Sequence, residues 1–299
     1  MKTIVPNYYK NFRCIAQECK HNCCIGWEID IDEDTLSLYD NVKNSFKKQL
    51  DEGINRNEEF ACFKLDGKGR CAFLNENNLC KIILNLDENS LCQICNDHPR
   101  FRNYYSDRTE MGLGLCCEEA GKIILSQNEK FSLEVIEDDR MDIQCTEDEK
   151  DFFHIRECIF DAINEGKSIL SFCNNDFPKK SVSQWADIYL SLERLEEHWP
   201  ILLNDLKSID IDEINIPEKY DFCFKNLLTY FTYRHLNEFS DESDLMFIHL
   251  SCETIKNLCK MHIKKYGELT LDDIIEYSRM YSSEIEYSDE NIEKLIEAL

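Results

Sequence analysis

Hydrophobic positions divide the chain into two halves of different texture. From about residue 147 onward they recur with helical period. Phe152, Ile155, Ile159 and Ile163 form one stripe, and Trp185, Ile188, Tyr189, Leu192 and Leu195 form another. Pro200 predicts the end of that second helix and the start of the next, which carries Leu202, Leu203 and Leu206. Further stripes run through 227–239, 245–263, 271–281 and 292–299. The preceding part is less regular. Residues 1–30 read as a loop-rich entry. Asp32 is placed to cap a helix bearing Leu36, Tyr39, Val42, Phe46 and Leu50. Residues 60–65 read as extended and lead into the turn Asp66-Gly67-Lys68-Gly69. Between Cys71 and Phe101 only 79–86 looks periodic, while 118–127 look helical and 131–136 strand-like. The least structured break falls at 137–148. The pattern predicts a mainly α protein: a loop-rich domain with little β over 1–140, then a helical domain over 141–299.

Composition narrows the function classes. The chain has 299 residues, 43% of them hydrophobic, enough for one large core or two smaller ones. No apolar run approaches the roughly 18 residues of a membrane span. The net charge of -25 disfavours nucleic acid and acidic membranes, and it suits a lysine-rich protein surface or simple solubility. Met1–Tyr8 lacks the apolar run of a signal peptide, so a cytoplasmic protein is expected.

Cysteine changes the picture most. Of 17 cysteines, eleven lie within residues 14–117 and six are scattered beyond. Dense cysteine in a loop-rich segment implies disulfides, metal or cluster, and a reducing cytoplasm disfavours disulfides. The groups are Cys14-x4-Cys19-x3-Cys23-Cys24, Cys71-x8-Cys80, Cys92-x2-Cys95 and Cys116-Cys117. Only Cys92/Cys95 is a standard CxxC pair, and the irregular remainder suits an iron–sulfur cubane better than a structural zinc site, without excluding zinc. The radical-enzyme signature CxxxCxxC fails, because Gly26 stands where the third cysteine belongs. No Gly-rich strand-to-helix turn of the Rossmann type is present. Cys145, Cys158, Cys173, Cys223, Cys252 and Cys259 read as small apolar residues, Cys158 and Cys252 as core.

At these residues the sequence resembles the flagellin lysine-N-methylase (FliB) family. The resemblance rests on Phe12–Asp32, Gly69–Leu74, Leu79-Cys80, Cys95–Arg100 and Leu115–Ala120, with Asn226–Arg234 a weaker echo. More loosely, the segment is similar to the YkgJ-like zinc- or iron-chelating domains. The resemblance implies a protein-lysine methyltransferase that uses S-adenosylmethionine and a [4Fe-4S] cluster and acts on flagellin. It implies Cys14, Cys19, Cys23, Cys24, Cys71, Cys80, Cys95 and Cys117 as metal ligands. Eight thiolates exceed the four of one cubane, and Cys92 and Cys116 look like additions that can substitute for a neighbour.

Cofactor-binding candidates follow. Arg100, with Arg102 beside it, is suited to pair with the donor's carboxylate, or else supports its loop. Trp27 is suited to stack on adenine or shield the cluster, or else packs in the core. His21 and His98 lie among the cysteines. Glu118 and Glu119 suit a helix N-terminus. Two other readings stay open: a non-enzymatic zinc- or iron-chelating module, and a redox or iron sensor built on Cys92/Cys95.

Overall fold

The computed structural model describes residues 1–57, 60–140 and 143–299. It is mainly α, as the periodicity predicts. The chain forms two compact units, Arg13–Arg100 and Met1–Phe12 with Phe101–Leu299. These divide differently from the expected 1–140 and 141–299; of the break expected at 137–148, residues 141 and 142 lie outside the described residues.

Pairing of the N-terminal strand explains the division. Strand β1 (Lys2–Pro6) lies where a loop-rich entry was expected. Within the Arg13–Arg100 unit, α1 (Glu33–Asp40) and α2 (Lys47–Gly53) replace the single helix expected from Leu36 to Leu50. Asn44 interrupts it, its side chain accepting from the Phe46 amide at 2.9 Å. Strands β2 (Ile54–Arg56) and β3 (Ala61–Phe63) pair antiparallel. Two short helices follow, α3 (Lys81–Asn85) and α4 (Gln93–Asp97). Tyr39, Phe46, Leu50, Phe63 and Phe73 are the centre of this unit's core, and Phe63 and Phe73 meet edge-on at 5.2 Å.

The larger unit opens with strands β4 (Arg100–Tyr104) and β5 (Arg108–Leu113), helix α5 (Glu118–Leu125) and strand β6 (Leu133–Asp138). The sheet order is β4-β5-β1-β6, with β1 parallel to β5 and antiparallel to β6. β1 therefore draws the segment before the expected boundary into the helical unit. Helices α6 (Glu147–Asn164), α7 (Val182–Ser191), α8 (Trp199–Ser208), α9 (Asp221–His235), α10 (Glu242–Tyr266), α11 (Leu271–Tyr281) and α12 (Asp289–Glu297) complete it. α7 stops at Ser191, short of Leu195, and Pro200 enters α8 in its first turn. Capping boxes at Thr146, Ser181, Asp241 and Thr270 start four of these helices where Ser, Thr or Asp precedes an acid or Gln by three positions. Cys252 and Cys259 are buried as expected, but Cys158, expected in the core, is exposed. No helix among the described residues is long and apolar enough to cross a membrane.

α9 and α10 run through the core. A π-helical turn (Ser282–Glu286) after α11 brings a fully buried carboxylate, Glu286, to α9. There it meets Arg234 at 3.1 Å, His235 at 2.7 Å and the Tyr230 hydroxyl at 2.9 Å. Arg234 also donates to the Tyr230 hydroxyl at 2.9 Å, and its guanidinium lies between the rings of Phe101 and Tyr287. Tyr230 and Arg234 belong to the Asn226–Arg234 segment singled out in the sequence.

Candidate metal centre

The cysteines of the Arg13–Arg100 unit sit on loops stitched by backbone hydrogen bonds. Asn22 opens the first: its side chain accepts from the Cys24 amide at 2.9 Å, and its carbonyl accepts from Ile25 at 3.1 Å. Gly26 at φ +99° then reverses the chain, a conformation that favours glycine, and donates to the carbonyl of Gly69, itself at φ +72°. The Cys71 amide donates to the Cys24 carbonyl at 2.9 Å. Residues 47 positions apart in sequence thus become neighbours. A tight turn at 75–79 is held by Asn75, which accepts from Asn77 and Leu79, and by Arg70, which donates to Asn78. It returns the chain so that Leu74 pairs with Cys80. Cys80 and Cys92 are the N-caps of α3 and α4.

Six thiols fall within mutual electrostatic reach. Cys24 donates to Cys23, which lowers Cys23 and raises Cys24; burial and the like charges of Cys71 and Cys80 raise Cys24 further. Cys95 donates to Cys92 with the same result, and Cys24 and Cys80 add to the rise at Cys95. Cys71 and Cys80 are raised chiefly by burial, with like-charge repulsion between them and from Cys92. Backbone amides of Ile82 and Ile83 point at the Cys80 sulfur, and those of Ile94 and Cys95 at Cys92. Among the described residues, no three His, Cys, Asp or Glu side chains are already arranged to hold a metal ion; Cys23 is hydrogen-bonded to Cys24 and Cys92 to Cys95, while Cys71 and Cys80 accept from backbone amides. The donor set nonetheless suits a thiophilic centre: six sulfurs, buried or half-buried, with amide N–H groups of following residues directed at three of them, Cys71, Cys80 and Cys92.

The other residues named from the sequence are placed as follows. Cys14 is exposed and accepts from the Ala16 amide at 3.4 Å. Cys19 donates to the His21 carbonyl at 3.0 Å. Cys117 caps α5 in the other unit. Trp27 is 36% exposed, donates its indole N–H to the Cys23 carbonyl at 2.8 Å, and lies 6.5 Å from the His98 ring. His98 is pushed down to about 4, first by burial and then by Arg100, which leaves a neutral imidazole. Arg100 donates to the Asn96 carbonyl at 3.1 Å, bracing α4. Cys92, set aside by the resemblance, stands with the six; its CxxC spacing to Cys95 was the available signal.

Asp32 secures this arrangement. Its carboxylate accepts from Thr35 at 2.9 Å as the cap of α1, and from the Gln93 amide at 2.8 Å at the start of α4. Burial opposes its charge, but these hydrogen bonds prevail and hold it below the ordinary 3.8. Its contribution is therefore complete above that value and lost as pH falls through the lowered one. Asp32→Ala is expected to cost about 2 kcal/mol, seen as a lower urea midpoint, by removing a cap and orphaning an amide. An unchanged midpoint would refute the bracing role.

Residues 100–299 match the family model of the FliB lysine N-methylase C-terminal domain. That span holds Cys116 and Cys117 and leaves the six gathered thiols outside it. The chain is 26% identical over 134 residues to a lysine-N-methylase of Salmonella choleraesuis and to one of Salmonella typhimurium, covering 43% of this chain and 33% of each relative. It is 26% identical over 134 residues to the flagellar biosynthetic protein FliU of Salmonella muenchen, covering 43% of this chain and 79% of that protein. The match thus spans a third of the length of the first two relatives. No solved structure matches the chain.

Proposed function

The chain belongs to the FliB lysine N-methylase family through its C-terminal domain, and on that premise we propose that it is a cytoplasmic protein-lysine N-methyltransferase using S-adenosylmethionine, with flagellin as substrate and a [4Fe-4S] cluster on its gathered thiols. The match over residues 100–299 carries the methylase reading. The convergence of Cys23, Cys24, Cys71, Cys80, Cys92 and Cys95 supports the cluster. Those six residues would hold it, four at a time, and Trp27 covers their loop. The cluster, when bound, supplies a positively charged centre that holds thiolates ionised and can orient a ligand's amino and carboxylate groups.

The methyl transfer itself is polar. The lone pair of a neutral lysine Nζ attacks the sulfonium methyl carbon, the carbon–sulfur bond breaks towards sulfur, and the amine loses a proton to a base. The chain's task is to seat the lysine and expel water around it. Protein purified without oxygen is expected to contain iron and acid-labile sulfide, and to add methyl groups to flagellin lysines in the presence of S-adenosylmethionine. Mass spectrometry of flagellin decides the second point: no methyl gain removes the methylase reading. A colourless protein holding only zinc removes the cluster.

A further inference from the structure

We infer that the groove between α6 and the start of α10 seats, in its charged form, a lysine side chain of the polypeptide substrate other than the one that is methylated, an inference that rests on the methylase reading for its choice of lysine. The groove encloses about 410 Å³, within the range of ligand sites. Its floor is apolar: Phe152, Ile155 and Ile159 of α6, with Phe172 and Leu245 opposite. Five carboxylates line it, those of Asp148, Asp151, Glu238, Asp241 and Glu242. An apolar trough ending in carboxylates suits a methylene chain ending in an ammonium.

The carboxylates differ in what holds them. Asp241 accepts from Ser243, and Glu242 accepts from Asn174 and Asn175, which fixes both in place and keeps both below the ordinary carboxylate range. Asp148, Asp151 and Glu238 have no hydrogen-bond or ion-pair partner among the described residues. The one cation of the lining, Arg156, is 1% exposed and is answered by Glu110 at 2.8 Å. The groove therefore presents uncompensated negative charge. Phe239, 87% exposed, stands in sequence between the lining residues Glu238 and Ser240 and offers apolar surface for the flanking peptide, and Ile155 of the floor stays 51% exposed and open to a ligand.

The test is the affinity of the full chain for a fluorescein-labelled peptide of Ala, Ser and three lysines, read by fluorescence anisotropy beside the same peptide with norleucine for lysine. The lysine peptide is expected to bind, with the norleucine peptide weaker by about tenfold. The triple substitution Asp148→Asn, Asp151→Asn and Glu238→Gln should weaken lysine-peptide binding by about tenfold, three partly exposed pairs each contributing a few-fold. Asp212→Asn, Glu213→Gln and Glu218→Gln together remove the same charge elsewhere and should change it by less than about twofold. Ile155→Trp fills the trough without changing charge and should also weaken binding. Equal loss in the two triple variants, unchanged binding in Ile155→Trp, or no preference for lysine over norleucine each overturns the inference. Flagellin methylation by the wild-type chain is scored separately. Methylation with an indifferent groove sinks the groove alone; a lysine-selective groove without methylation sinks only the methylase reading.

Discussion

Cys24→Ser and Cys95→Ser should each strip iron and acid-labile sulfide from the anaerobically purified protein, by more than about tenfold, while Cys158→Ser retains both. The reasoning begins with charge. Cys24 and Cys95 are the donors of their pairs, and each is repelled by neighbouring thiols once ionised. Six such groups in a half-buried pocket cannot all lose protons unless a cation joins them. Metal or cluster binding exchanges protons for that cation, so assembly should release protons and weaken as pH falls. Serine supplies no soft donor and no low-lying anion. Cys158 is exposed on α6, in the other unit, and takes no part. Circular dichroism should show the serine variants folded. Full iron in Cys24→Ser, or its loss in Cys158→Ser, would refute the assignment.

Helices were legible because burial imposes period. Trp185 and Tyr189 lie on a stripe that is buried where predicted, and Asp32, expected as a cap, is the N-cap of α1. The stripe through α6 was legible only in part: Phe152 and Ile159 are buried, whereas Ile155 turns outward to the groove. The strand Lys2–Pro6 was not legible, since its partners lie more than one hundred residues away and alternation over five residues is a weak signal. That missed pairing also accounts for the different division into units. At the candidate centre, spacing disclosed the cysteines but not their grouping. Cys24 meets Cys71 through a glycine reversal and a backbone bond, which residue counting cannot foresee. The acidic groove was illegible for a similar reason: Asp148 and Asp241 open two different helices, and only the fold, in which α6 and α10 both pack on α9, brings them to line one space.

The largest stability effect should come from Glu286. Glu286→Gln is expected to destabilise the helical unit by about 3–5 kcal/mol, because it leaves Arg234 charged and buried without its counter-charge. For a unit of this size that is a fall in melting temperature of roughly 10 °C. Burial opposes the charge of Glu286, but Arg234 and His235 outweigh it and keep the carboxyl below its ordinary 4.5. A depressed folded value means stability that is complete above pH 4.5 and lost as pH falls through the lowered value. The wild-type chain should therefore lose stability in that acid window, and Glu286→Gln should lose less there, having little left to titrate at this site. His235→Leu removes one of the carboxylate's partners and should cost less than Glu286→Gln. The paired change Arg234→Met with Glu286→Leu removes both charges, and it should recover most of the loss, since apolar groups of similar volume replace a buried ion pair at little cost. Denaturant midpoints across pH for these variants supply the measurement. A Glu286→Gln protein as stable as wild type at neutral pH would refute the counter-charge role of Glu286 and leave Arg234 answered by the Tyr230 hydroxyl, the backbone carbonyl of residue 286 and the Phe101 and Tyr287 rings.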